Sequence, residues 1–129
     1  MKKLLALVIS LVLLIGLSSG CSSQAQQMRE YTDPAQGIEA TAGSQFVIVL
    51  ESNPTTGFKW EASFNTSLLK LAKSEYKQTE TKPGLVGGGG KEYFTFEGLK
   101  KGSDKITMTY KRSWEQGSAN QKVFNVVIK

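Results

Sequence analysis

Phe58-Lys59-Trp60-Glu61-Ala62-Ser63-Phe64 decides the fold. Apolar side chains stand at every second position and Lys59, Glu61 and Ser63 fill the gaps. That period of two belongs to a strand with one face on a core and one in water, whereas a helix repeats its apolar face every 3.6 residues. The pattern recurs on either side. Phe46, Ile48 and Leu50 alternate with Val47, Val49 and Glu51, and Leu69 and Leu71 with Lys70 and Ala72. Phe94 and Phe96 bracket Thr95; Ile106, Met108 and Tyr110 alternate with Thr107, Thr109 and Lys111; Phe124, Val126 and Ile128 alternate with Asn125 and Val127.

Turn residues separate these runs: Gly43-Ser44, Asn53-Pro54, Asn65-Thr66, Gly87 to Gly90, Gly98, Gly102-Ser103 and Gly117-Ser118. A further short strand is expected near Ile38–Thr41, and no window carries the apolar stripe of an amphipathic helix. Many short strands in about 100 residues predict an all-β, immunoglobulin-like antiparallel β-sandwich of about seven to eight strands. A small barrel is the alternative.

Composition narrows the chemistry. The 129 residues hold 16 Lys and Arg against 11 Asp and Glu, a net charge of +5 that is spread along the chain. No basic cluster is interleaved with aromatics, so a nucleic-acid platform is not expected. There is no histidine, which removes the usual general base, the histidine-based triads and most zinc sites. A carboxylate-pair hydrolase would need two convergent acids, and residues such as Glu61 and Glu97 fall on predicted solvent faces. The expectation is a protein that is not an enzyme, with no catalytic residues, no metal and no cofactor.

The first residues have the layout of an export signal. Lys2 and Lys3 precede an apolar run from Leu4 to Leu17, and small residues come next. The run is shorter than the roughly 20 residues that span a bilayer. Leu17-Ser18-Ser19-Gly20-Cys21 resembles the bacterial lipobox, in which the cysteine is acylated and the chain is cut just before it. Ser18 stands where that pattern usually has Leu. The resemblance implies a signal peptide over 1–20, a lipidated tether over 21–35 and a domain over 36–129. The protein would then be exported and anchored through Cys21 to a bacterial membrane, at the outer membrane or the outer face of the cell membrane. Cys21 is the only cysteine, so no disulfide staples the domain.

Three connections are not tight turns: Asn53–Phe58, Thr79–Gly90, and Lys111 to Asn120. They come after every second strand, so a sandwich should gather them at one end. Pro54 fixes its own φ and pushes Asn53 toward an extended shape. Gly57 permits a positive φ, and the Asn53 side chain can bond nearby amides. A stiff loop with Thr55 and Thr56 at its tip should result. The glycines Gly87, Gly88, Gly89 and Gly90 suit either a linker or close backbone approach. Trp114 suits either a core position at a strand end or an interface anchor, with Arg112 beside it for stacking or carboxylate pairing.

In this order, Asn53-Pro54-Thr55-Thr56-Gly57, the Gly-rich loop and Arg112-Ser113-Trp114 resemble the chagasin family, protein inhibitors of papain-like cysteine peptidases. The resemblance spans roughly Ile38 to Lys129. It implies an immunoglobulin-like fold and reversible inhibition without a covalent bond. Asn53, Pro54, Thr55, Thr56, Gly57 and Phe58 would fill the peptidase cleft, with Thr55 nearest the catalytic thiol. Gly87 to Gly90 on one side, and Arg112 and Trp114 on the other, would grip its rims. The family usually has Pro where Ser113 stands and often Tyr where Phe58 stands. A papain-like peptidase is the expected partner, together with the membrane through Cys21; nucleic acid is not, and a monomer is expected. An adhesion or assembly module using the same patch is the competing reading.

Overall fold

The structure, a computed structural model, describes residues 28–79 and 89–129. Cys21 and the signal segment lie outside the described residues. Among the described residues there are eight strands: β1 (Arg29–Tyr31), β2 (Ile38–Ala40), β3 (Gln45–Ser52), β4 (Phe58–Ser63), β5 (Leu69–Gln78), β6 (Gly90–Gly98), β7 (Gly102–Arg112) and β8 (Asn120–Ile128). They form two four-stranded sheets in the orders β1-β3-β6-β5 and β2-β8-β7-β4. The expected sandwich is the observed architecture.

The alternating sets meet between the sheets. Phe46, Ile48, Leu50, Phe94 and Phe96 come from one; Trp60, Ile106, Met108, Phe124, Val126 and Ile128 come from the other, all buried. Phe96 lies at the centre, stacked on Phe46 at 5.7 Å and met edge-on by Phe64 at 5.2 Å. β3 runs between β1 and β6, and its outward Val47 and Val49 are buried too. The alternation alone predicted them on a wetter face.

Two differences concern strands too short or too irregular to carry a period. Residues 29–31, assigned above to the tether, pair in parallel with Phe46 to Ile48 of β3, and Tyr31 is only 5% exposed. Three residues cannot display a period of two, and Tyr31 is the one apolar anchor among them. β2 likewise pairs in parallel with β8, so the sandwich is antiparallel in its long strands and parallel at one lateral edge. β5 runs on to Gln78, with an irregularity between Leu71 and Lys73 that switches the faces of residues 73–78.

Register sorts the turns between two poles. Ser52 opposite Gly90, Gln78 opposite Gly90, Phe58 opposite Arg112 and Tyr110 opposite Asn120 mark one end. Gln45 opposite Glu97, Leu69 opposite Gly98 and Gly102 opposite Ile128 mark the other. The long connections lie at the first pole, the tight ones at the second. Near the first pole the sheets are laced together: Trp60 Nε1 donates to the Glu51 carbonyl at 2.9 Å, and Trp60 N donates to Glu92 Oε2 at 3.2 Å. The second contact caps an amide on edge strand β4 that would otherwise invite pairing with another chain.

Candidate functional site

The first loop is a single 3-10 turn, Pro54–Thr56, rather than a hairpin turn. Asn53 sits at φ −130°, ψ 86°, the extended side that a following proline favours. Gly57 ends the turn at φ +82° and donates its N–H to the Pro54 carbonyl at 3.0 Å. Asn53 Oδ1 accepts from the Thr55 hydroxyl, and the Thr56 hydroxyl donates to the Asn53 carbonyl at 2.7 Å. Each hydroxyl is thus used within the loop, and the turn is locked from inside.

The third loop braces it from outside. Arg112 ends β7 opposite Phe58, and its guanidinium lies 4.3 Å from the Phe58 ring centroid. Its Nε donates to the Thr56 carbonyl at 3.0 Å, and its Nη1 pairs with Glu115 at 3.0 Å. Stacking and carboxylate pairing, offered as alternatives by the sequence, occur together. Trp114 is 69% exposed, so it is no core residue. Its indole nevertheless lies against Gly57: a Cβ there would fall 2.1 Å from Trp114 Cη2. Thr55 and Trp114 therefore share one pole, as the strand count required.

The second loop starts and ends beside the first. Thr79 N donates to the Gly89 carbonyl at 3.3 Å, and the Thr79 hydroxyl donates to the same oxygen. Glu51, Asn53, Thr79, Gly89 and Tyr110 line one hollow between the two loops. Gly87 and Gly88 lie outside the described residues. Gly90 is the first residue of β6 and is buried; a Cβ there would meet the Lys77 carbonyl at 2.4 Å and the Tyr76 hydroxyl at 2.5 Å. Sequence reasoning placed Gly90 with the contact residues, but its local requirement is packing against β5.

Sequence reasoning missed Tyr110. It reads there as one inward residue of an alternating strand. In the structure its ring stacks between Phe58 (5.0 Å) and Trp60 (4.8 Å), and its hydroxyl accepts the Asn53 N–H at 3.0 Å. The base of the first loop is thereby tied to the sheet across the sandwich. A phenol at an otherwise apolar strand end, two residues from Arg112, was the available signal. Tyr110→Phe leaves the Asn53 amide without that partner at a cost of about 1 kcal/mol. Exchange of the Asn53 amide, measured by NMR, should speed up by about fivefold while β6 core amides keep their protection.

Among the described residues no group of three His, Cys, Asp or Glu is placed to hold a metal, and no helix is long and apolar enough to cross a membrane. The pole presents a stiff, narrow loop flanked by an exposed indole, a shape for insertion into a groove rather than a set of reacting groups.

A family model described as "Chagasin family peptidase inhibitor I42" matches residues 39–128. Amoebiasin-1 of Entamoeba histolytica is 32% identical over 91 residues, covering 70% of this chain and 86% of that protein. Chagasin of Trypanosoma cruzi is 32% identical over 98 residues, 71% of this chain and 86% of its own length. The crystal structure of a cysteine protease inhibitor from Entamoeba histolytica superimposes with a TM-score of 0.65 at 24% identity, covering 80% of this chain and 98% of that one. At that identity it shows the shared fold. With the family model spanning both sheets and all three loop positions, the chain belongs to the chagasin family of peptidase inhibitors.

Proposed function

We propose that this protein inhibits papain-like cysteine peptidases reversibly by filling the active-site cleft with its loop pole. Asn53 to Phe58 enter the cleft with Thr55 nearest the catalytic thiol. The Gly-rich connection and the Arg112–Trp114 loop hold the two rims. The observation that carries the reading is the bracing of the Pro54–Thr56 turn, by the Arg112 bond to the Thr56 carbonyl and by the Trp114 indole over Gly57. A loop already fixed in shape loses little entropy on docking, so an interface of ordinary size can bind tightly. A turn closed by its own hydrogen bonds is also a poor extended substrate, which favours blocking over cleavage.

Titration of papain-like peptidases with the chain starting at residue 22 tests this. Stoichiometric inhibition that reverses on dilution is the expected result. Trp114→Ala should weaken it by about 2 kcal/mol, roughly thirtyfold in the inhibition constant. A folded Trp114→Ala variant that inhibits as well as the parent would overturn the site. Failure against every such peptidase would instead favour the adhesion or assembly module.

The same reading includes export and lipid attachment at Cys21, supported by the charged start, the apolar run and the small residues before the cysteine.

A further inference from the structure

The pole opposite the loops has its own chemistry. Because β1 runs parallel to β3 and begins opposite Phe46, Met28 lies at that far pole. Met28, the first described residue, therefore stands at the end of the sandwich away from Thr55 and Trp114. Met28 lines a hollow with Gly43 and Ser44, and Gly43 N donates to the Gly98 carbonyl at 2.7 Å. The turn after Gly98 is Leu99-Lys100-Lys101. Two large apolar side chains are thus exposed on this pole, Met28 at 45% and Leu99 at 46%. Each is followed by cations: Arg29 after the first, Lys100 and Lys101 after the second.

These three cations are not in any ion pair among the described residues. Of the carboxylates near this pole, Glu39 pairs with Lys129 and Asp104 accepts the Asn65 N–H, while Glu97 lies in register with Lys70 and the exposed Glu30 follows Arg29. At the loop pole the charges are mixed, with Lys111 on Glu61 and Arg112 on Glu115.

We propose that the Met28–Leu99–Lys101 pole is a docking face for an anionic lipid surface. It would seat the anchored protein with its three loops turned outward. The proposal rests on the anchoring read at Cys21. Seven Cα steps separate Cys21 from Met28, so this pole stays within about 25 Å of the lipid-bearing residue. Basic side chains near an anionic leaflet each contribute about 1 kcal/mol, too little to recruit a free protein. A tether this short raises the effective concentration of the surface to the millimolar range, at which a weak face is occupied. The exposed Leu99 and Met28 supply the apolar part that headgroups alone would not reward.

The test separates docking from natural lipidation. Both sheets and the core lie within residues 29–128, so a chain starting at residue 22 keeps every element. A hexahistidine on that chain, in place of the lipid, holds it to vesicles bearing a nickel-chelating lipid. The vesicles are either neutral phosphatidylcholine or supplemented with phosphatidylglycerol. Fluorophores are placed on Ser103→Cys at the far pole and, separately, on Ser118→Cys at the loop pole, with a quencher in the lipid. The expected result is strong dimming at position 103 and little at 118, on anionic vesicles only and lost above about 0.5 M salt. Lys100→Ala with Lys101→Ala should cut the docked fraction on the order of tenfold, while inhibition in solution is unchanged. Equal dimming of both probes, dimming on neutral vesicles alike, or self-association through this pole would overturn the proposal. Membrane fractionation of the full chain, with and without Cys21→Ala, tests the anchor by itself. Release by the substitution supports the setting; a full chain that never sediments overturns both anchor and orientation.

Discussion

Gly57→Ala should cost the protein most of its inhibitory strength, about a hundredfold or more. Two effects add. The left-handed φ of +82° penalises any residue with a Cβ by about 1 kcal/mol or more. The new methyl would also sit 2.1 Å from Trp114 Cη2, so the indole must leave the position from which it braces the loop. Displacing an anchor of that kind is worth about 2 kcal/mol by itself. Inhibition constants measured for Gly57→Ala, Trp114→Ala and the double variant check the account. The double variant should lose less than the sum of the two, since both changes remove one shared contact. Strict additivity would mean that Gly57 and Trp114 act separately. The strain at Gly57 should also lower the melting temperature of Gly57→Ala by about 4–8 °C, whereas Trp114→Ala, at an exposed position, should leave it nearly unchanged.

Phe96→Ala should have the largest effect on stability, about 3–5 kcal/mol. Phe96 is fully buried in β6, stacked on Phe46 and met by Phe64. Truncation leaves a void between two sheets whose register is fixed by long ladders and which cannot close around it. Against a total stability of about 5–15 kcal/mol, that loss brings the domain near unfolding at ordinary temperature. Urea denaturation gives the difference directly, provided the slope of the transition is unchanged. Neither sheet contains a cysteine, so no disulfide limits the damage.

Much of this was legible in the sequence. Alternation in Phe58–Phe64 and Ile106–Tyr110 identified strands because each has one wet face and one dry. The loops could be assigned to one pole by counting connections. The pieces that escaped are those whose meaning depends on a distant partner. β1 became a strand only because β3 offers it an edge. The outer half of β5, Lys73–Gln78, is mostly exposed and carries no buried stripe. Gly90 reads as part of a flexible run, yet its neighbours Lys77 and Tyr76 leave no space for a side chain. Tyr110 looks like any core aromatic until Asn53, 57 residues earlier, is brought to its hydroxyl. Asn53 was expected to bond nearby amides, and its side-chain oxygen accepts the Thr55 hydroxyl. Pro54 and Gly57, whose constraints are local, behave as read.

The contrast between the two tryptophans gives the protein a built-in optical gauge. Trp60 is buried, with its Nε1 held by the Glu51 carbonyl; its emission is set by the fold and belongs to the blue end of the indole range. Trp114 is in water, at the loop pole, and is the only other indole in the sequence. Any blue shift on adding a peptidase stripped of its own tryptophan signal would report one side chain leaving solvent. Association and dissociation at the loop pole can then be timed on the unlabelled chain, with Trp114→Phe as the dark control.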